Sequence, residues 1–199
     1  MKDIAKRKFF DRKASGWDQR NHPDDKSQIL TLINRFSLKP EDLVLDVGSG
    51  NGVLLPYLSA KVKRGGRIFA LDFSWRMISE AQKNNRKKNV SFLNASAEAL
   101  PIKDRKLDCI TCFSTFAHVC EKKESLTEMA RILKKGGWLY IAHPFGKKEL
   151  ASHHKSAGGV VKHDTLPSDP VMKKMMSCCG FKEVQIIDQP DLYLASAKK

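Results

Sequence analysis

The chain has 199 residues, of which 41% are hydrophobic and 29% charged, as in an ordinary folded domain. Its formal net charge is +14, and such a balance permits binding to nucleic acid or to anionic small molecules. No apolar run approaches the roughly 18 residues that cross a bilayer, and no signal peptide is recognisable. We therefore expect a soluble, cytoplasmic protein that has no membrane partner.

The order of the elements predicts an α/β fold with a doubly wound, parallel sheet. Strands are predicted over residues 43–47, 67–71, 90–93, 107–113, 138–142, 180–187 and 191–197. Helices are predicted over residues 6–20, 24–36, 53–58, from 74 onwards, 121–133 and 166–179. Residues 134–137, which include two glycines, are predicted to stop the helix over 121–133. Residues 145–165 lack clear periodicity and are predicted to be a long functional loop.

The cysteines do not indicate a metal site. Cys109 and Cys112 have the spacing of a chelating pair, but both lie in the predicted strand 107–113. Residues three apart on a strand point to opposite faces, so these two thiols cannot bind one ion together. We predict that both pack in the core and that the protein has no resident metal.

Residues 44–52 combine an apolar strand with a glycine-rich loop. Asp46 is followed by Gly48, Gly50 and Gly52, at positions where the backbone can turn sharply and approach a ligand. An acid before the first glycine repels a pyrophosphate but suits an ammonium group, which argues against a dehydrogenase. Asp72, at the end of the second strand, can accept hydrogen bonds from two ribose hydroxyls. These features predict a nucleoside ligand with a cationic, amino-acid-like tail.

Four motifs together carry a family resemblance: residues 46–52, 72–74, 97–101 and 131–137. In this order and at this spacing they resemble the class I S-adenosylmethionine-dependent methyltransferases, over about residues 40–143. The resemblance implies a single Rossmann-like domain with a seven-stranded, mostly parallel sheet and an antiparallel final strand. It also implies S-adenosyl-L-methionine as the cofactor, bound at the carboxyl ends of the first strands.

The resemblance further implies which residues contact the cofactor. The glycines approach its methionine part, Asp72 holds the ribose, and Ala97 and its neighbours contact the adenine. The residues so implied are Asp46, Gly48, Gly50, Gly52, Asp72, Phe73, Ser96, Ala97 and Phe113. Ser96 stands where family members commonly have Asp, so it can accept an adenine hydrogen bond only without charge assistance. Glu98 or a backbone carbonyl is the alternative acceptor.

The N-terminal residues resemble the segment that covers the cofactor in small-molecule methyltransferases. This resemblance rests on Phe9, Phe10 and Asp11, together with Trp17 and Asp18. We therefore divide the chain into a cofactor-covering segment, residues 1–23, and a methyltransferase domain, residues 24–199. Within that domain, residues 145–165 are predicted to form the acceptor side of the site.

Two histidines are the candidate catalytic residues. Ligands of open α/β sheets bind where loops leave the carboxyl ends of strands, and His118 and His143 follow the fourth and fifth strands. Histidine titrates near neutral pH and can act as a general base, although a structural role is an equal alternative for each. With His154 they could also bind a soft-metal or metalloid acceptor, which is the less favoured hypothesis.

The sequence thus predicts a methyltransferase that acts on a small molecule. Methylation of RNA or protein is one alternative, which the basic charge favours and the absence of interleaved aromatic residues disfavours. A non-catalytic S-adenosylmethionine-binding protein is the other. The sequence predicts neither the attacking atom of the acceptor nor the oligomeric state.

Overall fold

The computed structural model describes residues 2–17, 26–63 and 65–199. Several predictions fall outside this part of the chain. They are residues 18–20 of the predicted N-terminal helical segment, with Asp18, the first residues of the helix predicted over 24–36, and the boundary between residues 23 and 24. The division of the chain at residues 23 and 24 therefore stays a prediction.

The described residues form helices and strands in alternation. The strands are β1 (Leu43–Val47), β2 (Arg67–Asp72), β3 (Val90–Asn94), β4 (Leu107–Phe113), β5 (Leu133–His143), β6 (Lys182–Gln189) and β7 (Leu192–Lys198). The helices are α1 (Lys2–Lys13), α2 (Lys26–Ile33), α3 (Leu55–Lys61), α4 (Trp75–Asn84), α5 (Lys122–Ile132), α6 (Lys147–Ala157) and α7 (Asp169–Cys178). Short 3₁₀ turns lie at Phe116–His118 and Gly159–Val161.

The seven strands form one sheet in the order β3-β2-β1-β4-β5-β7-β6. Neighbouring strands are parallel except that β7 runs antiparallel to both β5 and β6. The predicted seven-stranded, mostly parallel sheet is confirmed. The strand order reverses between β1 and β4, which is where a crevice opens at the carboxyl ends of the strands.

Apolar side chains cover both faces of the sheet, as expected for buried parallel strands. Successive residues of a strand enter different apolar clusters. Val44 and Cys109 pack in the cluster on one face of the sheet, and Leu45 and Cys112 pack in the cluster on the other face. Both cysteines are fully buried, so the structure confirms that they pack in the core on opposite faces. No helix in the described ranges is long and apolar enough to span a membrane.

The predicted start of the fifth strand, at residue 138, is wrong, although the preceding helix does end at Ile132. Strand β5 begins at Leu133, which pairs with Leu107, and the next pair is Cys109 with Trp138. The intervening residues form a bulge in which Gly136 has φ +79°. Glycine tolerates this conformation, so the pair of glycines that was predicted to follow the helix lies in a bulge of a continuous strand.

The predicted loop at residues 145–165 is also wrong, because most of it is helix α6. Leu150 and His154, one helical turn apart, are the buried residues of this helix. A histidine counts as polar in a hydrophobicity pattern, so this apolar face was not visible in the sequence. The helix ends where Gly158 and Gly159 adopt φ values of +67° and +61°.

Ser74 connects α1 to α4, and we expect it to contribute measurably to stability. Its hydroxyl caps α4 by accepting a hydrogen bond from Met77 N (3.1 Å), and it donates one to Asp11 Oδ1 (2.5 Å). Ser74→Ala should lower the free energy of unfolding in urea by about 1–2 kcal/mol. Ser79→Ala is the control, since Ser79 donates to the Trp75 carbonyl within the same helix. Equal losses in the two variants would contradict this role.

Candidate active site

The loop after β1 places three glycines in left-handed backbone conformations. Gly48, Gly50 and Gly52 have φ values of +68°, +53° and +88°. A Cβ at Gly48 would lie 2.1 Å from Thr115 Cγ2, and one at Gly52 would lie 2.5 Å from Asn85 Nδ2. At Gly50 it would meet nothing within 4 Å. Gly48 and Gly52 therefore permit close packing of the loop, whereas Gly50 faces open space that a ligand could occupy.

Two carboxylates lie at the ends of the adjacent strands β1 and β2. Asp46 is 1% exposed, and its Oδ1 accepts a hydrogen bond from Thr111 Oγ1 on β4 (2.8 Å). Asp72 is 6% exposed and accepts from Gly50 N (2.9 Å) and Ser74 N (2.8 Å). The glycine loop is thus bound to the second carboxylate through its own backbone.

The electrostatics of these carboxylates suit a cationic ligand. Burial raises the pKa of Asp46 to about 7 and that of Asp72 to about 6, although their hydrogen bonds act in the opposite direction. Within the described ranges, neither carboxylate forms an ion pair with a lysine, arginine or histidine. Because an ionised carboxylate is costly to bury without a partner, a bound ammonium or sulfonium group would compensate this charge.

A cavity lined by aromatic side chains adjoins these carboxylates. Its aromatic lining comes from both sides of the crevice: Phe9, Phe10, Trp17, Phe73, Phe113 and Phe145. Phe10, on α1, packs with Ala14, Met77 and Val161 in a small apolar cluster, which fixes α1 across the cavity. The structure therefore places the first part of the predicted covering segment over the site.

A second, smaller cavity continues from the first past Gly48 and Phe73, which line both. Ser96, Ala97 and Glu98 line the smaller one. The Ser96 hydroxyl donates a hydrogen bond to the Glu98 carboxylate, so its oxygen lone pairs stay available for another donor. The residues that the resemblance assigns to the adenine and to the methionine part of the cofactor thus line two adjoining cavities.

The three candidate histidines line the larger cavity, but their surroundings differ. His118 Nδ1 lies 2.7 Å from Asp164 Oδ2, and His154 Nδ1 lies 2.6 Å from the Asp164 backbone oxygen. The His118 and His154 rings are 4.7 Å apart between centroids. His143 Nδ1 accepts a hydrogen bond from Phe145 N (3.3 Å). Burial lowers the pKa of both His118 and His154, which favours the neutral imidazole.

The structure thus brings nearly all of the predicted site residues to the two cavities. All of them except Gly52 line one of the two cavities. Across residues 2–17, 26–63 and 65–199, no three His, Cys, Asp or Glu side chains form a group that could hold a metal ion. Asp164 and Lys6, which contact His118, were not predicted as site residues, because neither lies in a recognisable motif.

Comparison with known proteins places the chain in a family. Residues 45–141 match a family profile described as a methyltransferase domain. An S-adenosylmethionine-dependent methyltransferase from Aquifex aeolicus superposes with a TM-score of 0.71 at 27% identity, covering 87% of this chain and 93% of that one. The chain belongs to the class I S-adenosylmethionine-dependent methyltransferases. S-adenosyl-L-methionine is the cofactor of this class, as the sequence predicted.

Two relatives of known name and one further solved structure are similar to this chain. The ubiquinone/menaquinone biosynthesis C-methyltransferase UbiE of Pectobacterium carotovorum is 36% identical over 168 residues, covering 71% of this chain and 66% of the relative. The Yersinia enterocolitica enzyme of the same name is 37% identical with the same coverage. The chain thus spans just under two thirds of the length of these relatives. A chain from the Haloferax volcanii complex of the Trm112 methyltransferase activator with a methyltransferase shares the fold, with a TM-score of 0.79 at 23% identity, covering 95% of this chain and 96% of that one.

The raised pKa of Asp46, about 7, predicts pH-dependent cofactor binding. Below pH 7 the folded protein holds Asp46 protonated, so binding a cation there requires loss of a proton. The affinity for S-adenosylhomocysteine should therefore fall as the pH drops through 7, by up to about tenfold per pH unit for one coupled proton. Isothermal titration calorimetry at pH 6, 7 and 8 measures this dependence.

The matched variant is Asp46→Asn, which keeps an acceptor for the Thr111 hydroxyl but carries no charge. It should bind S-adenosylhomocysteine more weakly at pH 8, and its remaining pH dependence should be shallower. Equal affinities of the unaltered protein at pH 6 and pH 8 would contradict a role for the Asp46 charge.

Proposed function

We propose that this chain transfers the methyl group of S-adenosylmethionine to a small molecule with an apolar, planar body. The observation that carries this proposal is the aromatic-lined cavity, which α1 crosses and which adjoins the uncompensated carboxylate of Asp46. An acceptor in this cavity would lie beside the cofactor and away from bulk water. Methyl transfer depends mainly on such alignment and exclusion of water.

In this proposal the cofactor occupies both cavities. Asp46 faces the ammonium group, Gly48 and Gly50 approach the methionine part, and Asp72 accepts hydrogen bonds from the ribose. Ser96, Ala97 and Phe73 contact the adenine side, with Phe113 at the opposite wall of the larger cavity. We propose Gly52 only as a packing residue, because a side chain there would collide with Asn85.

His118 is the proposed general base, and His143 is the second candidate. When bound, the cofactor supplies an electrophilic methyl group, and the electron pair of the broken carbon–sulfur bond remains on sulfur. The acceptor must lose a proton if its attacking atom carries one. His118 lines the cavity, and its lowered pKa leaves the imidazole neutral and able to accept that proton at neutral pH.

The names of the relatives favour a carbon atom as the acceptor. The UbiE proteins are named as C-methyltransferases of ubiquinone and menaquinone biosynthesis. A ring carbon beside a hydroxyl group becomes nucleophilic when that hydroxyl is ionised, which gives a base such as His118 a direct use. A hydroxylated aromatic ring would also stack against the phenylalanines of the cavity.

The alternatives receive less support. Among the described residues that line the larger cavity, Lys13 is the one lysine or arginine, so a nucleic-acid backbone would find little charge there. A non-catalytic binding protein has no need for the apolar space that the larger cavity offers beyond the methionine part of the cofactor. A cytoplasmic location remains part of the proposal.

The test of the proposed base is His118→Gln. With methyl-labelled S-adenosylmethionine and a panel of hydroxylated benzenes and naphthalenes, kcat should fall by about 10²–10⁴-fold, the usual contribution of general acid–base catalysis. Affinity for S-adenosylhomocysteine should change by less than about threefold, because the ammonium and ribose contacts are retained. His163→Gln is the matched control, since His163 is exposed and lines neither cavity.

Two results would count against this proposal. An unchanged kcat in His118→Gln would exclude His118 as the base, and a loss in His143→Gln instead would transfer the role to His143. Tight binding of S-adenosylhomocysteine without methylation of any aromatic acceptor, but with methylation of RNA or protein, would exclude the small-molecule proposal.

A further inference from the structure

One carboxylate joins the N-terminal helix to the proposed base. Asp164 Oδ1 accepts a hydrogen bond from Lys6 Nζ on α1 (2.7 Å), while Oδ2 lies 2.7 Å from His118 Nδ1. Lys6 Nζ also donates to the backbone oxygen of His118 (2.8 Å). The side chains of Lys6, Asp164 and His118 are only 12%, 11% and 15% exposed. The three groups therefore interact where water screens little of their charge.

The charges in this cluster balance each other. Burial acts to raise the pKa of Asp164, but the contacts with His118 and Lys6 outweigh it and hold that pKa below its usual value. Two further groups face His118: the ring of His154 and the ammonium of Lys122, which is held by the carbonyls of Ala117 and Val119. With the Lys6 ammonium present, the Asp164 charge is already neutralised, so His118 is not driven to protonate.

We propose that Asp164 is a positioning residue that couples the docking of α1 to the orientation and charge of His118. This inference rests on the proposed role of His118 as the base. The carboxylate accepts the Nδ1 proton of the imidazole, which leaves the lone pair on Nε2 for the acceptor. When α1 leaves the cavity, Lys6 leaves with it, and its positive charge no longer offsets that of Asp164 at His118. The pKa of the imidazole is then higher in the open form, so a larger fraction of His118 is neutral and able to act as a base in the closed form.

Nitrogen NMR of the His118 ring tests the orientation without any substrate. The resonance is assigned by its loss in His118→Gln. The neutral ring should carry its proton on Nδ1, and Asp164→Asn should shift the population toward the Nε2–H tautomer, which predominates in free histidine. A wild-type ring protonated mainly on Nε2 would overturn the proposal.

The charge is tested with Lys6→Met. Removing the ammonium should raise the pKa of His118 by about 0.5 to 1, because the Asp164 charge is no longer offset. Hydrogen exchange of the α1 amides should become faster in Lys6→Met and in Asp164→Asn. Lys8→Met is the matched control, an exposed lysine on the same helix, and should change neither property. An unchanged His118 pKa in Lys6→Met, or equal effects in Lys8→Met, would overturn the coupling.

Activity then separates this inference from the function on which it rests. If His118 is the base, the acidic limb of the pH profile of kcat/KM for the acceptor should move in Lys6→Met by the same amount as the NMR pKa, when S-adenosylmethionine is saturating at every pH so that the titration of Asp46 does not contribute. An NMR shift without any movement of the profile would exclude His118 as the base while upholding the link between Lys6, Asp164 and His118.

Discussion

The structure depends on two carboxylates that are buried at the ends of adjacent parallel strands and that form no ion pair with any side chain in the described part of the chain. Asp46 is held by Thr111 of the neighbouring strand, and Asp72 by the backbone of Gly50 and Ser74. These hydrogen bonds compensate part of the desolvation, yet both pKa values stay raised. Folding therefore buries carboxylate charge that is only partly compensated, at the point where the order of the strands reverses. In the proposed binding mode a cationic cofactor compensates this charge, so the burial that costs stability would also provide affinity.

The N-terminal helix contributes to this site through two different kinds of contact. Its apolar residues, with Phe10 at the centre, pack across the cavity and exclude water. Its polar residues bind both flanks of the crevice: Asp11 contacts Ser74 at the start of α4, and Lys6 contacts Asp164 beside His118. One short helix thus affects the cofactor side and the proposed base at the same time. In the proposed mechanism, closing the cavity and preparing the base become a single event.

The fold was largely predictable because its pattern is local. Buried parallel strands are continuous apolar runs, and β1 and β4 have the predicted bounds. The errors arose where one residue type serves two structures. The glycines at 136 and 137 indicated the end of a helix and a strand that begins only after them, yet they lie inside strand β5. The buried face of α6 was not recognised in the sequence, because it includes His154. A histidine is not counted as apolar even when, as here, its side chain is only 4% exposed.

The sequence by itself determined the strand ends, and with them Asp46, the glycine loop and Asp72, since each directly follows an apolar run. It also indicated that His118 and His143 lie at the same edge of the sheet. Only the tertiary structure decided what those histidines contact. Lys6 lies 112 residues from His118 and Asp164 lies 46 residues from it, so no spacing rule connects them. Their contact exists because helix α1 and the segment after α6 pack against the same crevice, and such packing is a property of the whole chain.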